Sequence, residues 1–481
     1  DFTFAPLFTT KEGPVAAGEF RERTDTGDFS FNGSFTRADQ RNSDNIETGR
    51  TLTRAHIEGR GRFIIDENWA WGFSGARVTD DTYLKRYKFS SADNLTSNAF
   101  IEGFSGRSYA SVNAYSFQGL RENDDPGETP LILPQVDYNY VSQPGRFGDV
   151  LRFDANFLAL TRNDGTDSWR LSTHPVWQLP RVGPAGDILT LTAEFRADGY
   201  LVNDVPDPRG SNFANRNGLT GRLVPQVSAD WRWPLIRQEV GSSQVVEPLV
   251  NVIVSPYGGN PNEIPNEDSQ NFEFDDTNVF AADRFPGLDR IEGGPRVNYG
   301  VRYGLYGRNG QSITALVGQT LRVRKDDTFA DRTGVEGTRS DFVGRIDISP
   351  SPVFSFYNRF RLDRETFALR RNEIDIAAGD ADAGVNLTYV RLSRELTNDE
   401  ITGREEINLT GHLRLSEFWR ATARTRRDLG EDGGTLNSGI GLIYEDECFN
   451  ASVDFNRDFT RDRDVRPSTS ISFRVRFKHL G

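Results

Sequence analysis

Four groups of side chains in this chain have types that can do chemistry, and their spacing limits which chemistry is open to them. The histidines, His56, His174, His412 and His479, are scattered with no ligand spacing, and a single cysteine, Cys448, makes none of the usual zinc sites possible. No G-x-S-x-G elbow, P-loop or dinucleotide fingerprint occurs, so no enzyme, cofactor or metal site is expected. Five carboxylates, Glu267, Asp268, Glu273, Asp275 and Asp276, crowd one stretch. Such clusters suit Ca²⁺ or Mg²⁺, but the spacing matches no calcium loop, and hydrogen bonding within the stretch is the plainer reading. Arg420 and Arg424, with Arg474 and Arg476 at alternate positions, offer forked donors for phosphate; a polar interior in which they pair with Asp and Glu accounts for them as well.

The elements that hold these groups have period two. At 29–36, Phe29, Phe31, Gly33 and Phe35 alternate with Ser30, Asn32, Ser34 and Thr36. The same alternation recurs at 188–198, at 407–415 and in the last strand, where Ile471, Phe473, Val475 and Phe477 oppose Ser470, Ser472, Arg474 and Arg476. Segmenting the whole chain this way gives about 24 strands of roughly 10 residues, the length that crosses a bilayer when tilted. A soluble β-sandwich alternates too, so pattern alone does not separate the two.

Loop lengths and tryptophans do better. Connections alternate between a short set (25–28, 66–68, 105–107, 308–311, 349–352, 416–418) and a long set (39–50, 79–96, 121–130, 201–215, 258–295, 325–335), as a barrel with unequal rims requires. The longest, 258–295, breaks into Gly, Pro, Asn and Asp but keeps Phe272, Phe274, Val279, Phe280, Phe285, Leu288 and Ile291. That is too apolar for disorder, and a structured extracellular loop is expected. Trp69, Trp71 and Trp419 begin strands just after short turns, and Trp177, Trp231 and Trp233 lie near strand ends running into short connections, so six of the seven tryptophans share a rim, as an interface girdle requires. Pro134, Pro225 and Pro248 fall inside regular segments, where each deletes one ladder donor.

Composition points to one large domain, because no linker divides the 481 residues. Hydrophobic residues make up only 36%, and no apolar run is long enough for a membrane helix; a barrel hides its apolar residues at every second position and stays compatible. A formal charge of −13 without a basic block speaks against nucleic acid. Methionine is absent even at the start and no signal pattern opens the chain, so a piece of a longer precursor is expected. Cys448 is then either a free thiol or the partner of a cysteine on a missing segment. No fixed period of about 40–50 residues marks a propeller.

The stretch IPNEDSQNFEFDDTNVFAADRFPGLDRIEGGPRVNYGV, residues 264–301, resembles the signature loop and following strand of the lipopolysaccharide-assembly LptD family in its alphaproteobacterial form. Within it stand Asp268, Phe274, Asp275, Asp276, Arg284, Phe285, Pro286, Gly287, Asp289 and Arg290. The resemblance continues through SYASVNAYSFQGL (108–120), LVPQVSADWRWP (223–234), EPLVNVIVSPY (247–257) and YEDECF (444–449). It implies an all-β fold, a large antiparallel transmembrane barrel of about 26 strands. Residues 1–481 would be that barrel, opening at its third strand, with the first hairpin and an N-terminal jellyroll missing.

The resemblance further implies that the first and last strands part to release lipid sideways, so that 467–478, with Ile471, Phe473, Arg474, Val475, Arg476 and Phe477, is the gate strand. Cys448, beside Glu447 where the family has a first cysteine, would bond to a cysteine in the N-terminal part. Lipopolysaccharide, outer-membrane lipid, an LptE-type lipoprotein plug and an LptA-type periplasmic bridge docking on the jellyroll are the implied partners. The competing function is an outer-membrane diffusion channel or ligand-gated transporter barrel; a porin is much shorter, and a TonB-type receptor carries an N-terminal plug.

Overall fold

A computed structural model describes residues 1–9, 13–41, 46–206, 215–270, 272–393, 403–431 and 433–478. His479 and parts of the expected loops 39–50 and 201–215 lie outside the described residues. The chain opens with β1 (Phe2–Phe4) and β2 (Leu7–Thr9), then β3 (Gly13–Arg23), β4 (Gly27–Arg41), β5 (Glu47–Ile64) and β6 (Trp69–Val78). After a one-turn helix α1 (Tyr83–Arg86) come β7 (Asn94–Ser105), β8 (Ser108–Gly119), β9 (Leu131–Val141), β10 (Val150–Thr161), β11 (Asp167–Val182) and β12 (Ile188–Val205). The middle holds β13 (Arg216–Arg232), β14 (Leu235–Glu239), β15 (Ser242–Val254), β16 (Arg296–Gly307), β17 (Ser312–Arg322), β18 (Phe342–Ser351) and β19 (Phe354–Leu362). The last third is β20 (Leu369–Gly379), β21 (Ala383–Leu392), β22 (Arg404–Arg414), β23 (Trp419–Asp428), β24 (Thr435–Glu445), β25 (Phe449–Asp458) and β26 (Ser468–Phe477).

These 26 segments form one antiparallel sheet in which neighbours in sequence are neighbours in space. β1 and β2 both pair with β3, and β13 and β14 both pair with β15, so two segments continue lines already begun and the described residues form 24 lines, against the about 24 that the periodicity predicts. The second break has a chemical cause. Pro234 separates β13 from β14, and opposite the preceding Trp233 on β15 stands Pro248, which also lacks an N–H; one bond, from the Trp233 N–H to the Pro248 carbonyl (3.2 Å), spans the gap. Pro225 lies where β13 pairs with β12 but not with β15, whose ladder begins at Val227, so a donor aimed at β15 would find no acceptor there. At Pro134 the register of β9 shifts against both neighbours.

The sheet is rolled on itself, because Arg54, Lys85, Arg86 and Lys88 near one end of the chain touch Asp462, Asp464 and Ser470 near the other. Its two faces are inverted relative to a soluble protein. Large apolar side chains point outward, with Ile471 72%, Phe473 71% and Ile440 65% exposed, whereas Arg170, Asp198, Arg222, Glu292, Asn298 and Thr320 are buried inside.

Several loop boundaries differ from the sequence expectation. β4 and β5 extend into the expected loop 39–50, and β12 runs to Val205, because backbone pairing continues through polar residues, Asp39 with Thr51 and Val205 with Arg216. β18 likewise extends through Ser351, reducing the expected turn 349–352 to Pro352 and Val353, while the connection expected at 325–335 spans 323–341. The alternation of lengths also has exceptions: 162–166 on the long-loop rim is shorter than 142–149 on the short-turn rim.

Candidate functional site

The segment 255–295 leaves the wall after β15 and returns at β16, and between them it lies inside, against the inner faces of β11 to β13 and β15 to β20. Arginines and carboxylates placed by the period-two alternation hold it there. Arg170 on β11 donates to Asp268 (2.7 Å) and Asp289 (2.6 Å), and Tyr200 on β12 donates to the same Asp289 oxygen (3.1 Å). The other Asp289 oxygen accepts the backbone N–H of Glu267 (2.8 Å). Arg222 on β13 spans Asp198 (2.6 Å), Asn260 (2.9 Å) and the Asp289 carbonyl (3.1 Å), while Arg196 donates to the Leu288 carbonyl (2.6 Å). Every partner is charged or oriented, so these count among the stronger hydrogen bonds a wall can offer a loop.

Asp268 also accepts the N–H groups of Leu288 and Asp289 (both 2.9 Å). Burial works to raise its pKa, but Arg170 and these two amides overcome that and hold the carboxyl down at about 2. Gly287 is required here, because an added Cβ would fall within 2.1 Å of the Asp268 carboxylate. Arg290 ties the loop to itself through the carbonyls of Ile264 (3.1 Å) and Pro265 (3.0 Å), and Pro286 stays at the surface.

A second knot lies under β16 and β17. Glu292 is fully buried among Arg284, Arg296 and Arg322; burial alone would raise its pKa, and the three guanidiniums lower it. Burial pulls the Arg284 guanidinium down to about 10, and its other donors reach the Val279 carbonyl (2.9 Å), Asn298 (2.7 Å) and Thr320 (2.6 Å). Beside it Phe274, Val279, Phe329, Val335 and Val343 form a small apolar core, and Phe285 stacks on Phe329 with ring centroids 4.7 Å apart. Asp276 lies between Arg345 (3.7 Å) and Arg359 (3.6 Å), and Glu273 and Asp275 face Arg371 (2.5 and 3.7 Å). The five clustered carboxylates are thus hydrogen-bonded or ion-paired to protein, and among the described residues no group of acids, histidines or cysteine is arranged to hold a metal ion.

A separate contact spans the ends of the sheet at the long-loop rim. The loop 79–93 folds inward through α1, burying Tyr83, Leu84 and Tyr87 against Val15, Val78, Leu95 and Leu120, and the Tyr83 hydroxyl meets Ser34 at 2.6 Å. From this platform Lys85 reaches Asp462 (2.8 Å), Arg86 reaches Asp464, and Lys88 reaches Ser470 (3.2 Å); Arg54 on β5 adds Asp464 (3.4 Å). Arg463 in turn donates to the Leu120 carbonyl (2.8 Å). Among the described residues β26 pairs only with β25, and β1 and β2 only with β3, so side chains rather than a ladder join the two ends.

The other expected residues fall as follows. On β26, Ile471, Phe473, Val475 and Phe477 face outward, while Arg474 and Arg476 line an inner hollow of about 420 Å³ with Glu445, Asp454 and Lys478. Trp177, Trp231 and Trp233 donate to Asp149 (3.2 Å), Asp187 (3.2 Å) and the Ala185 carbonyl (2.9 Å), all in connections of the short-turn rim. Trp69, Trp71 and Trp419 stand at the same rim, half exposed. Cys448 is exposed in the turn between β24 and β25, a free thiol at that rim. The structure brings together the acids of the loop, and it leaves Arg420 and Arg424 on β23 apart from them. Sequence reading missed Arg170, Tyr200, Arg222 and Glu292, and the whole set around Arg54 and Asp464. The available signal was charge at inward positions of the alternation, which marks a polar interior without naming the partner.

A family described as LptD, LPS transport system D, matches residues 52–419. The LPS-assembly protein LptD of Sodalis glossinidius is 22% identical over 520 residues, covering all of this chain and 65% of that protein. That of Pectobacterium atrosepticum is 22% identical over 522 residues with the same coverage, and that of Shigella flexneri serotype 5b is 24% identical over 64% of this chain and 40% of its own length. The chain spans 65% of the length of the first two curated relatives. Among solved structures, the FrpB iron transporter of Neisseria meningitidis overlaps 97% of this chain and 78% of its own at 9% identity and a TM-score of 0.43, too low to carry an argument.

Proposed function

The chain belongs to the LPS transport system D family, and from that premise we propose that it is the barrel through which lipopolysaccharide is placed in the outer leaflet. It is an outer-membrane β-barrel protein, with its apolar side chains outward and its charged ones inward. The family match, which runs through wall and inner loop alike, carries the reading. The pinned loop 255–295 is consistent with it, since a loop tied to nine strands obstructs the open bore that a diffusion channel needs.

In this reading the acyl chains leave sideways along β26, where the barrel's last strand parts from its first, and the sugars pass beneath the long loop on the outer side of the membrane. An LptE-type lipoprotein would occupy the lumen, and an LptA-type bridge would add a strand to a periplasmic jellyroll beyond this chain. Cys448, exposed on the short-turn rim, would bond to a cysteine of that periplasmic part. The test uses the full-length protein in whole cells, with photocrosslinkers at Phe473 and Val475 on β26 and at the lipid-facing Leu219 on β13. Pulse-labelled, newly made lipopolysaccharide is expected at β26 first; simultaneous labelling of both strands would remove β26 as the exit.

A further inference from the structure

The outer surface of β21 to β25 carries a notch that the wall does not need for its own packing. The registers place outward residues in rows that run across the strands. One row is Val385, Gly411, Ala423, Ile440 and Phe455; the next, about 7 Å nearer the long-loop rim, is Leu387, Leu409, Thr425, Ser438 and Arg457. In the first row two small residues stand side by side between bulky ones, so the surface is hollow at Gly411 and Ala423. The hollow measures about 580 Å³ and is bounded by Val385, Leu409, Ile440, Phe455 and Phe459.

Its upper lip is polar. The hydroxyls of Thr425 and Ser438 meet at 3.0 Å, and Arg457 lies over the Phe459 ring at 5.1 Å with no carboxylate partner among the described residues. Arg427, in the following row toward the same rim, faces outward as well. A cation on the lipid-facing wall near the hydrocarbon boundary attracts an anion from the lipid itself when the protein supplies none.

We propose that this notch is a binding site for a phosphate-bearing acylated lipid, one acyl chain filling the hollow at Gly411 and Ala423 and the phosphate held by Arg457. Charge complementarity and the apolar floor select that occupant over a protein partner. The site reaches onto β25, the strand paired with β26, so lipid held there is among the first met by anything leaving past β26. The proposal needs the barrel to stand in the outer membrane and does not need it to export lipopolysaccharide.

Gly411 allows a clean test, because a Cβ there would meet only the Gly384 carbonyl at 3.5 Å and Val385 at 3.8 Å, ordinary contacts on the open outer side. Purified protein in micelles is titrated with dioctanoyl phosphatidic acid and with uncharged dioctanoylglycerol, and bound lipid is counted by native mass spectrometry. Wild type is expected to retain the phosphatidic acid about fivefold more strongly than the glyceride, the effect of one arginine at an anionic headgroup. G411L, and independently A423L, should abolish retention of both lipids, while R457Q should make the two equal. Retention unchanged in G411L and A423L, with heat-modifiable gel mobility confirming the folded barrel, would overturn the proposal. So would R457Q binding the two lipids with the wild-type ratio.

Discussion

Asp289 shows what a single inward-facing contact is worth. Its carboxylate satisfies Arg170, Tyr200 and a loop amide at once, and Arg170 is itself almost fully buried. Asp289→Ala therefore leaves a buried guanidinium with Asp268 as its one remaining carboxylate, beside the Asn156 amide oxygen, and breaking a buried pair in this way costs about 3–5 kcal/mol. The expected outcome is loss of hydrogen-exchange protection across 255–295 with the strands unaffected. Asp268 makes the same loop sensitive to acid. Its folded pKa is depressed to about 2 from an ordinary 3.8, so the stability it contributes is complete above pH 4 and is lost as pH falls toward 2. Limited proteolysis of the loop should accelerate through that window in wild type, and D268N should be equally cleavable on both sides of it.

Among the elements, the loop 79–93 and the connection 459–467 are the pair with the clearest division of labour. Apolar packing of Tyr83, Leu84 and Tyr87 fixes the first loop to the wall, and ion pairs from Lys85 and Arg86 fix the second loop to the first. Burial costs Lys85 some of its charge preference, but hydrogen bonds to Asp462 and Asp93 raise its pKa overall, so the pair stays ionised through the neutral range. Reversing one member, R86D or D464R, should separate spin labels on the two loops. The double reversal R86D/D464R should restore the wild-type distance, and the wild-type contact should loosen with added salt because its charges are partly exposed.

At the scale of the whole molecule, the wall orders its tryptophans by depth. Trp69, Trp71, Trp177, Trp231, Trp233 and Trp419 share the short-turn rim, whereas Trp169 pairs with Leu201 toward the opposite one. Single-tryptophan variants in bilayers of depth-labelled brominated lipid should show the six quenched at one common depth and Trp169 at another; a continuous spread would remove the girdle. The wall itself was legible in the residues. Alternation over Ile471 to Phe477 or Phe29 to Thr36 forces successive side chains to opposite faces, and once one face is apolar and the other charged, strand number, rim and register follow from local geometry. Chain order alone does not say which inward arginine meets which loop acid, since Arg170 and Asp289 are 119 residues apart and the choice is made only when the sheet has rolled up. For the same reason the meeting of Arg86 with Asp464, 378 residues later, belongs to the tertiary structure: periodicity places each charge on a face, and only closure of the two ends brings those faces together.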